Sequence, residues 1–171
     1  NCPLTVSVDT AALMLLGASR ILSGGELNLY QILPNNIRNA QDNVSLWKLR
    51  APRKPDHDFL YMLANAARLP FAKEAFHVVL TPFLIDAVSE DLRTFAPKIH
   101  KILQPGGYWV NYGAMAFLPG INYTADEVLS IVSDSGFRIV THGFSRKPHL
   151  ASRESCQHTV YDCLYFTAVK E

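Results

Sequence analysis

The chain has 171 residues, 49% of them hydrophobic and 18% charged. That is about one domain's worth of sequence, enough to bury roughly two-thirds of the unfolded surface, and too apolar for a disordered tail. Sixteen Lys and Arg against fifteen Asp and Glu leave a net charge of +1, so no global field is available to hold nucleic acid or an acidic membrane. No window reaches the roughly 18 unbroken apolar residues of a membrane span. The apolar run 11–16 is closely flanked by Asp9 and Arg20 and lacks a basic leader and cleavage site. Cys2, Cys156 and Cys163 are odd in number, with no C-x-x-C. That argues against a disulfide framework and for a reducing, cytoplasmic setting.

In chain order, residues 4–8 alternate apolar and polar, the pattern of a strand ending at Asp9-Thr10. A helix is predicted over 11–22, with Asp9 or Thr10 as N-cap and Gly24-Gly25 as its stop. Residues 27–32 alternate again, as an edge strand or hairpin arm would. The stretch 34–58 is the least regular, an excursion with a short helix expected around 44–49 and a solvated basic run at 50–54. Strands are predicted at 59–63 and 76–81, separated by a loop containing Leu69-Pro70-Phe71. His77 lies within the second of these and is expected to be a packed, neutral histidine.

Leu92, Phe95, Ile99 and Leu103 recur at helical spacing, which predicts a helix over 89–103 capped by Ser89 and kinked at Pro97. Pro105-Gly106-Gly107 reads as a turn before a strand at 108–112. Thr124 and Glu127 make a capping box for a helix running to Gly136. Strands follow at 137–142 and 160–169. Strands alternating with helices imply an α/β fold, a mostly parallel sheet with helices on both faces. The last two strands have no clear helix between them and are expected to form an antiparallel hairpin. One domain over 1–171 is expected.

Three features occur in order: an acidic residue ending an early strand, a Leu-Pro-Phe loop before a Phe-x-Val-Val strand, and a Leu-x-Pro-Gly-Gly turn. Together they resemble the class I S-adenosylmethionine-dependent methyltransferases. The runs 81–86 (Thr-Pro-Phe-Leu-Ile-Asp) and 103–113, with the tail Tyr161-Asp162-Cys163-Leu164, resemble the carnosine N-methyltransferase family and its bacterial relatives. The resemblance implies a Rossmann-like sheet, S-adenosylmethionine as cofactor, and a small-molecule methyl acceptor, most simply at nitrogen. It places Asp9 on the ribose hydroxyls of the cofactor, a job suited to a carboxylate that accepts from two neighbouring hydroxyls. Asn65 with Ala66 matches the adenine position, and Thr81 and Pro82 lie at the strand's carboxyl end, where such sheets bind ligands. Asp86 matches the position that contacts the acceptor and would orient it or take its proton as the catalytic residue. Tyr161 matches a substrate-pocket tyrosine. The expectation is one shared cleft for donor and acceptor.

The sequence also departs from the family. The Gly-rich loop after the first strand has no counterpart, and the chain begins at what should be the second strand. An N-terminally incomplete domain, a fragment of a longer methyltransferase, is therefore expected. Leu118 stands where the carnosine enzymes carry a substrate-binding histidine, which speaks against carnosine itself as acceptor.

Plainer readings stand beside these. Asp9 and Asp86 could be helix caps, Asn65 a turn residue, and Tyr112, Tyr161 and Tyr165 packing residues. His149, Cys156, His158 and Cys163 fit no zinc spacing, so no metal is expected. A homodimer is the macromolecular partnership the reading allows. The rival function is a catalytically inactive methyltransferase-like binding module. A dinucleotide oxidoreductase would share the ribose-binding acid but not the closing hairpin. No G-x-S-x-G, Walker loop or H-E-x-x-H is present.

Overall fold

A computed structural model describes residues 3–33, 35–117, 122–149 and 152–171. Cys2 and Leu118, both singled out above, lie outside the described residues. The chain divides into two compact units, one of residues 1–69 and 150–158, the other of 70–149 and 159–171.

In the first unit, β1 (Leu4–Asp9) pairs in parallel with β4 (Asp58–Leu63), Leu4 opposite Asp58 and Asp9 opposite Leu63. The helix α1 (Ala12–Leu22) packs against both strands. Its N-cap is Ala11, with no side-chain cap bond, rather than Asp9 or Thr10. Asp9 instead accepts the N–H of the N-cap Ala11 at 2.7 Å, two residues too early in the chain to cap the helix itself. Residues 44–49 are not helical. They form β3 (Val44–Leu49), which pairs antiparallel with β2 (Leu27–Ile32) over six residues. Val-Ser-Leu-Trp alternates with period 2, and the β2 partner settles the choice between strand and helix. The Trp47 Nε1–H donates across this pair to Gln31 at 3.1 Å. Arg50, in the basic run, reaches Glu26 at 2.6 Å.

The second unit is a four-stranded sheet in the order β5 (Phe76–Pro82), β6 (Leu103–Gly113), β8 (Thr159–Lys170), β7 (Phe137–His149). β5 and β6 are parallel, whereas β6–β8 and β8–β7 are antiparallel. The predicted closing hairpin is present and runs longer than expected. Gly143, Arg146, Lys147 and Pro148 do not read as strand. β7 lies at the sheet edge, where a proline's missing N–H is tolerated. The Pro-Gly-Gly turn is absorbed into β6, where Gly106 takes φ +74 and the pairing jumps from Phe76–Leu103 to Val78–Tyr108. His77 is exposed rather than packed, as are Val78 and Leu80 after it, and β5 is an edge strand of this four-stranded sheet.

Helix α2 (Leu92–Ile102) joins β5 to β6 and buries Leu92, Phe95 and Ile99, as their spacing requires. Pro97 stands inside it, exposed. Its cap is Asp91 rather than Ser89: Asp91 accepts the Arg93 N–H at 2.7 Å and the Tyr123 hydroxyl at 2.7 Å. Helix α3 (Ala125–Asp134) opens on the predicted capping box. The Glu127 N–H donates to Thr124 Oγ1 at 3.2 Å, and the Thr124 N–H to Glu127 at 2.7 Å.

At the other end of α2, buried Lys170 donates to the carbonyls of His100 (2.9 Å) and Leu103 (2.8 Å). This ammonium occupies the place where a charged histidine would otherwise be welcome near a helix C-terminus. Burial first, and then the Lys170 charge, hold His100 below its ordinary value of 6.5. The unfolded chain therefore binds the proton first as pH falls. Stability is expected to drop as pH moves from 7 down through 6.5 and below, until the folded-state histidine also protonates. A melting series from pH 7.5 to 5 should show this, and His100→Gln should flatten it. Identical pH profiles for the two proteins would refute the assignment.

Candidate functional site

Asp9 closes β1, and Asn65 follows the end of β4 by two residues. The Ala64 N–H donates to the Asp9 carbonyl at 3.1 Å, which ties the two chain turns together. Both residues therefore sit at the carboxyl rim of one parallel pair, the edge where open α/β sheets bind ligands. One Asp9 carboxylate oxygen is engaged by the Ala11 N–H. The other has no partner among the described residues. The Asn65 side-chain oxygen accepts the Ala67 N–H at 2.8 Å and so caps a short 3-10 turn, Ala66–Arg68. Its amide NH2 has no partner among the described residues. The chemistry of these groups suits the adenosine half of S-adenosylmethionine: a carboxylate oxygen for vicinal hydroxyls and an uncommitted amide for a heterocycle edge. The unit also has a cleft of about 190 Å³, lined by Ser19, Ser23, His57, Phe59 and Tyr61. None of the expected site residues lines it. It opens near the amino end of β4, away from the rim.

In the second unit, Thr81 is 1% exposed. Its hydroxyl donates to Asn111 Oδ1 at 2.9 Å and accepts from Trp109 Nε1 at 2.9 Å, while Asn111 donates on to the Leu164 carbonyl at 3.3 Å. Its side chain ties the sheet together and is not available to a ligand. Pro82, next along, is exposed and has no N–H to offer. Phe83 then takes φ +49, a left-handed conformation uncommon outside glycine. Its N–H donates to the Tyr112 carbonyl at 2.7 Å. A Cβ on Gly113 would come within 3.0 Å of the Phe83 backbone, so the turn requires glycine opposite it.

This turn delivers Asp86, which is buried and accepts the Ala116 N–H at 3.1 Å. Its second oxygen has no partner among the described residues. Phe83 and Asp86 follow β5, and Tyr112 and Ala116 lie at or beyond the end of β6. β8 runs antiparallel to β6, so its early residue Tyr161 comes to the same rim, as does His149 at the end of β7. The four rings form a row: Tyr112 to Phe83 at 5.7 Å, Phe83 to His149 at 6.1 Å, His149 to Tyr161 at 4.6 Å. Sequence reasoning takes Phe83 only as part of the run 81–86, and His149 only in a metal reading that its spacing does not support; it assigns neither to the acceptor side. The signal for Phe83 is Gly113, the glycine needed opposite its turn. His149 sits in a polar, proline-containing run with no local signal at all.

No group of three or more metal-binding side chains is assembled among the described residues, and no described helix is long and apolar enough to cross a membrane.

An acidic residue ending a strand of a parallel pair, and a sheet closed by an antiparallel hairpin, are features of Rossmann-like S-adenosylmethionine-dependent methyltransferases. Solved structures share this fold. A methyltransferase from Methanosarcina mazei superposes with a TM-score of 0.60 at 13% identity, covering 98% of this chain and 82% of that one. One from Mesorhizobium loti gives 0.58 at 13% identity, covering 98% and 81%. The family model for carnosine N-methyltransferase matches residues 7–171, and the chain belongs to that family. Curated carnosine N-methyltransferases resemble it at low identity. The Dictyostelium discoideum protein is 22% identical over 102 residues, covering 57% of this chain and 22% of that protein. The Schizosaccharomyces pombe protein is 21% identical over 111 residues, covering 56% and 30%. The chain thus matches less than a third of the length of either relative.

Proposed function

We propose that this chain serves methyl transfer from S-adenosylmethionine to a nitrogen of a small molecule in the cytoplasm, with no nucleic acid or membrane as partner. The observation that supports this best is Asp9, with a carboxylate oxygen that has no partner among the described residues, on the same carboxyl rim as Asn65. Bound S-adenosylmethionine supplies an electrophilic methyl group: the N–C bond forms as the C–S bond breaks, and the nitrogen's proton must depart. The chain's own residues do the rest. Asp9 holds the ribose hydroxyls, and Asn65 with Ala66 meets the adenine. Thr81 and Pro82 shape the strand end through the backbone. Tyr161 and Asp86 face the acceptor, and Asp86 orients it and receives its proton through its unengaged oxygen. Positioning of this kind can remove roughly 7–11 kcal/mol from a bimolecular barrier.

The test is incubation of the protein with methyl-labelled S-adenosylmethionine and a panel of small amines and imidazoles, carnosine included. Label on a nitrogen of one of them supports the proposal. Cofactor binding with no transfer to any acceptor would favour the inactive binding module. Asp86→Ala is expected to slow turnover about 100-fold or more while sparing cofactor affinity, the usual scale of a lost acid–base group. Turnover unchanged in that variant would remove Asp86 from the site.

A further inference from the structure

We propose that Tyr123 is a positioning residue for Asp86: bonded to Asp91 and Arg93, it pins the chain beyond β6 so that the Ala116 N–H stays on one Asp86 oxygen and leaves the other for the acceptor. This rests on reading Asp86 as the acceptor-side carboxylate. The Tyr123 hydroxyl donates to Asp91 at 2.7 Å and accepts from Arg93 Nη1 at 2.6 Å. The guanidinium carbon of Arg93 also lies 4.9 Å from the centre of the Tyr123 ring. The same ring meets Phe117 edge-on at 5.3 Å, and Phe117 follows Ala116 directly. Two carboxylates of one stretch thus hold two points of the chain after β6. Asp86 takes the Ala116 N–H at 3.1 Å, and Asp91 takes the Tyr123 hydroxyl.

The two sides are unequally fixed. Asp86 and Asp91 stand on a stretch anchored in the core by Ile85, Val88 and Leu92, all buried. Met115, Ala116 and Phe117 are not buried, so core packing does not set their backbone. What holds Ala116 in place is its bond to Asp86 and the Phe117 contact with a tethered Tyr123. The bond matters for chemistry because an N–H donor keeps a buried carboxylate ionised, and only the ionised form can take a proton. A phenol suits the tether, since its hydroxyl gives one bond and receives another. The Arg93–Asp91 ion pair, at 3.7 Å with side chains 64% and 38% exposed, adds little by itself. The two short phenol bonds carry the attachment.

The test is amide hydrogen exchange on the full chain, without cofactor, read residue by residue in 1H–15N spectra. Tyr123→Phe keeps the ring and removes both bonds. Exchange at Ala116 should accelerate about tenfold, while Phe95 in α2 and Val128 in α3 stay within about twofold of the parent. Asp91→Ser still caps α2 but has a shorter side chain that does not reach the phenol, and it should accelerate Ala116 to the same degree. Asp91→Asn keeps an acceptor for both donors and should stay within about threefold of the parent. The inference is overturned by exchange at Ala116 that is unchanged in Tyr123→Phe and Asp91→Ser. Equal acceleration at Ala116, Phe95 and Val128, as a general loss of stability would give, overturns it too. Exchange is read with neither cofactor nor acceptor present, so a failure of methyl transfer leaves this result standing. Where transfer is found, Tyr123→Phe should lower kcat about three- to tenfold and keep cofactor affinity within about twofold, and an unchanged kcat would overturn the positioning role.

Discussion

Trp109→Ala is expected to lower the unfolding free energy by about 3–5 kcal/mol, the range for removing a large buried aromatic side chain. Trp109 is fully buried. Its ring meets Phe137 at 5.3 Å and Phe166 at 5.2 Å, so it joins β6 to both strands of the closing hairpin. Its N–H also satisfies the Thr81 hydroxyl. Alanine therefore leaves a cavity and strips one partner from a buried polar chain that runs through Asn111 to Leu164. Trp109→Phe separates the two effects. It keeps most of the packing, loses the N–H, and should cost about 1–3 kcal/mol. Urea denaturation followed by far-ultraviolet circular dichroism measures both. A loss under about 1 kcal/mol for the alanine variant would show that this network does not organise the sheet.

Asp9→Ala is expected to weaken binding of S-adenosylhomocysteine about 10- to 100-fold, which corresponds to losing one or two hydrogen bonds to a charged acceptor. The competing explanation is that Asp9 only braces the turn into α1 through the Ala11 N–H. Asp9→Asn separates the two. It can still accept that bond but lacks the charge and accepts less well from paired hydroxyls. If Asp9 binds ribose, Asn weakens binding nearly as much as Ala while the melting temperature stays near that of the parent. If Asp9 is only a brace, Asn restores both. Isothermal titration with each variant decides between them, and Asp9→Ala binding as tightly as the parent would end the ribose assignment.

Most of the regular elements were legible locally. The helix at 92–102 follows from apolar residues three and four apart, and the one at 125–134 from Thr124 and Glu127, because capping and amphipathicity act within a turn or two of chain. Residues 44–49 were not legible. Their pattern suits either structure until β2 is available to pair with. The far half of β7 was hidden for the same reason, since Gly143 and Pro148 argue against strand and only pairing with β8 overrides them. At the candidate site, Asp9 and Asp86 were named through family resemblance. The sequence could not tell that Thr81 turns its hydroxyl into the core, because that depends on Trp109 and Asn111, 28 and 30 positions away.

What the sequence by itself determined is the α/β class, the three helices, the capping box of α3, the closing hairpin and the acidic residue at a strand end, all consequences of short-range periodicity and hydrogen bonding. The tertiary structure alone decided which polar side chains remain free for chemistry. It engages Thr81, leaves one oxygen of Asp9 and one of Asp86 without a partner among the described residues, and gathers Tyr112, Phe83, His149 and Tyr161 at one rim. The physical reason is that strand register, through contacts between residues tens of positions apart, sets which side chains meet one another and which meet solvent.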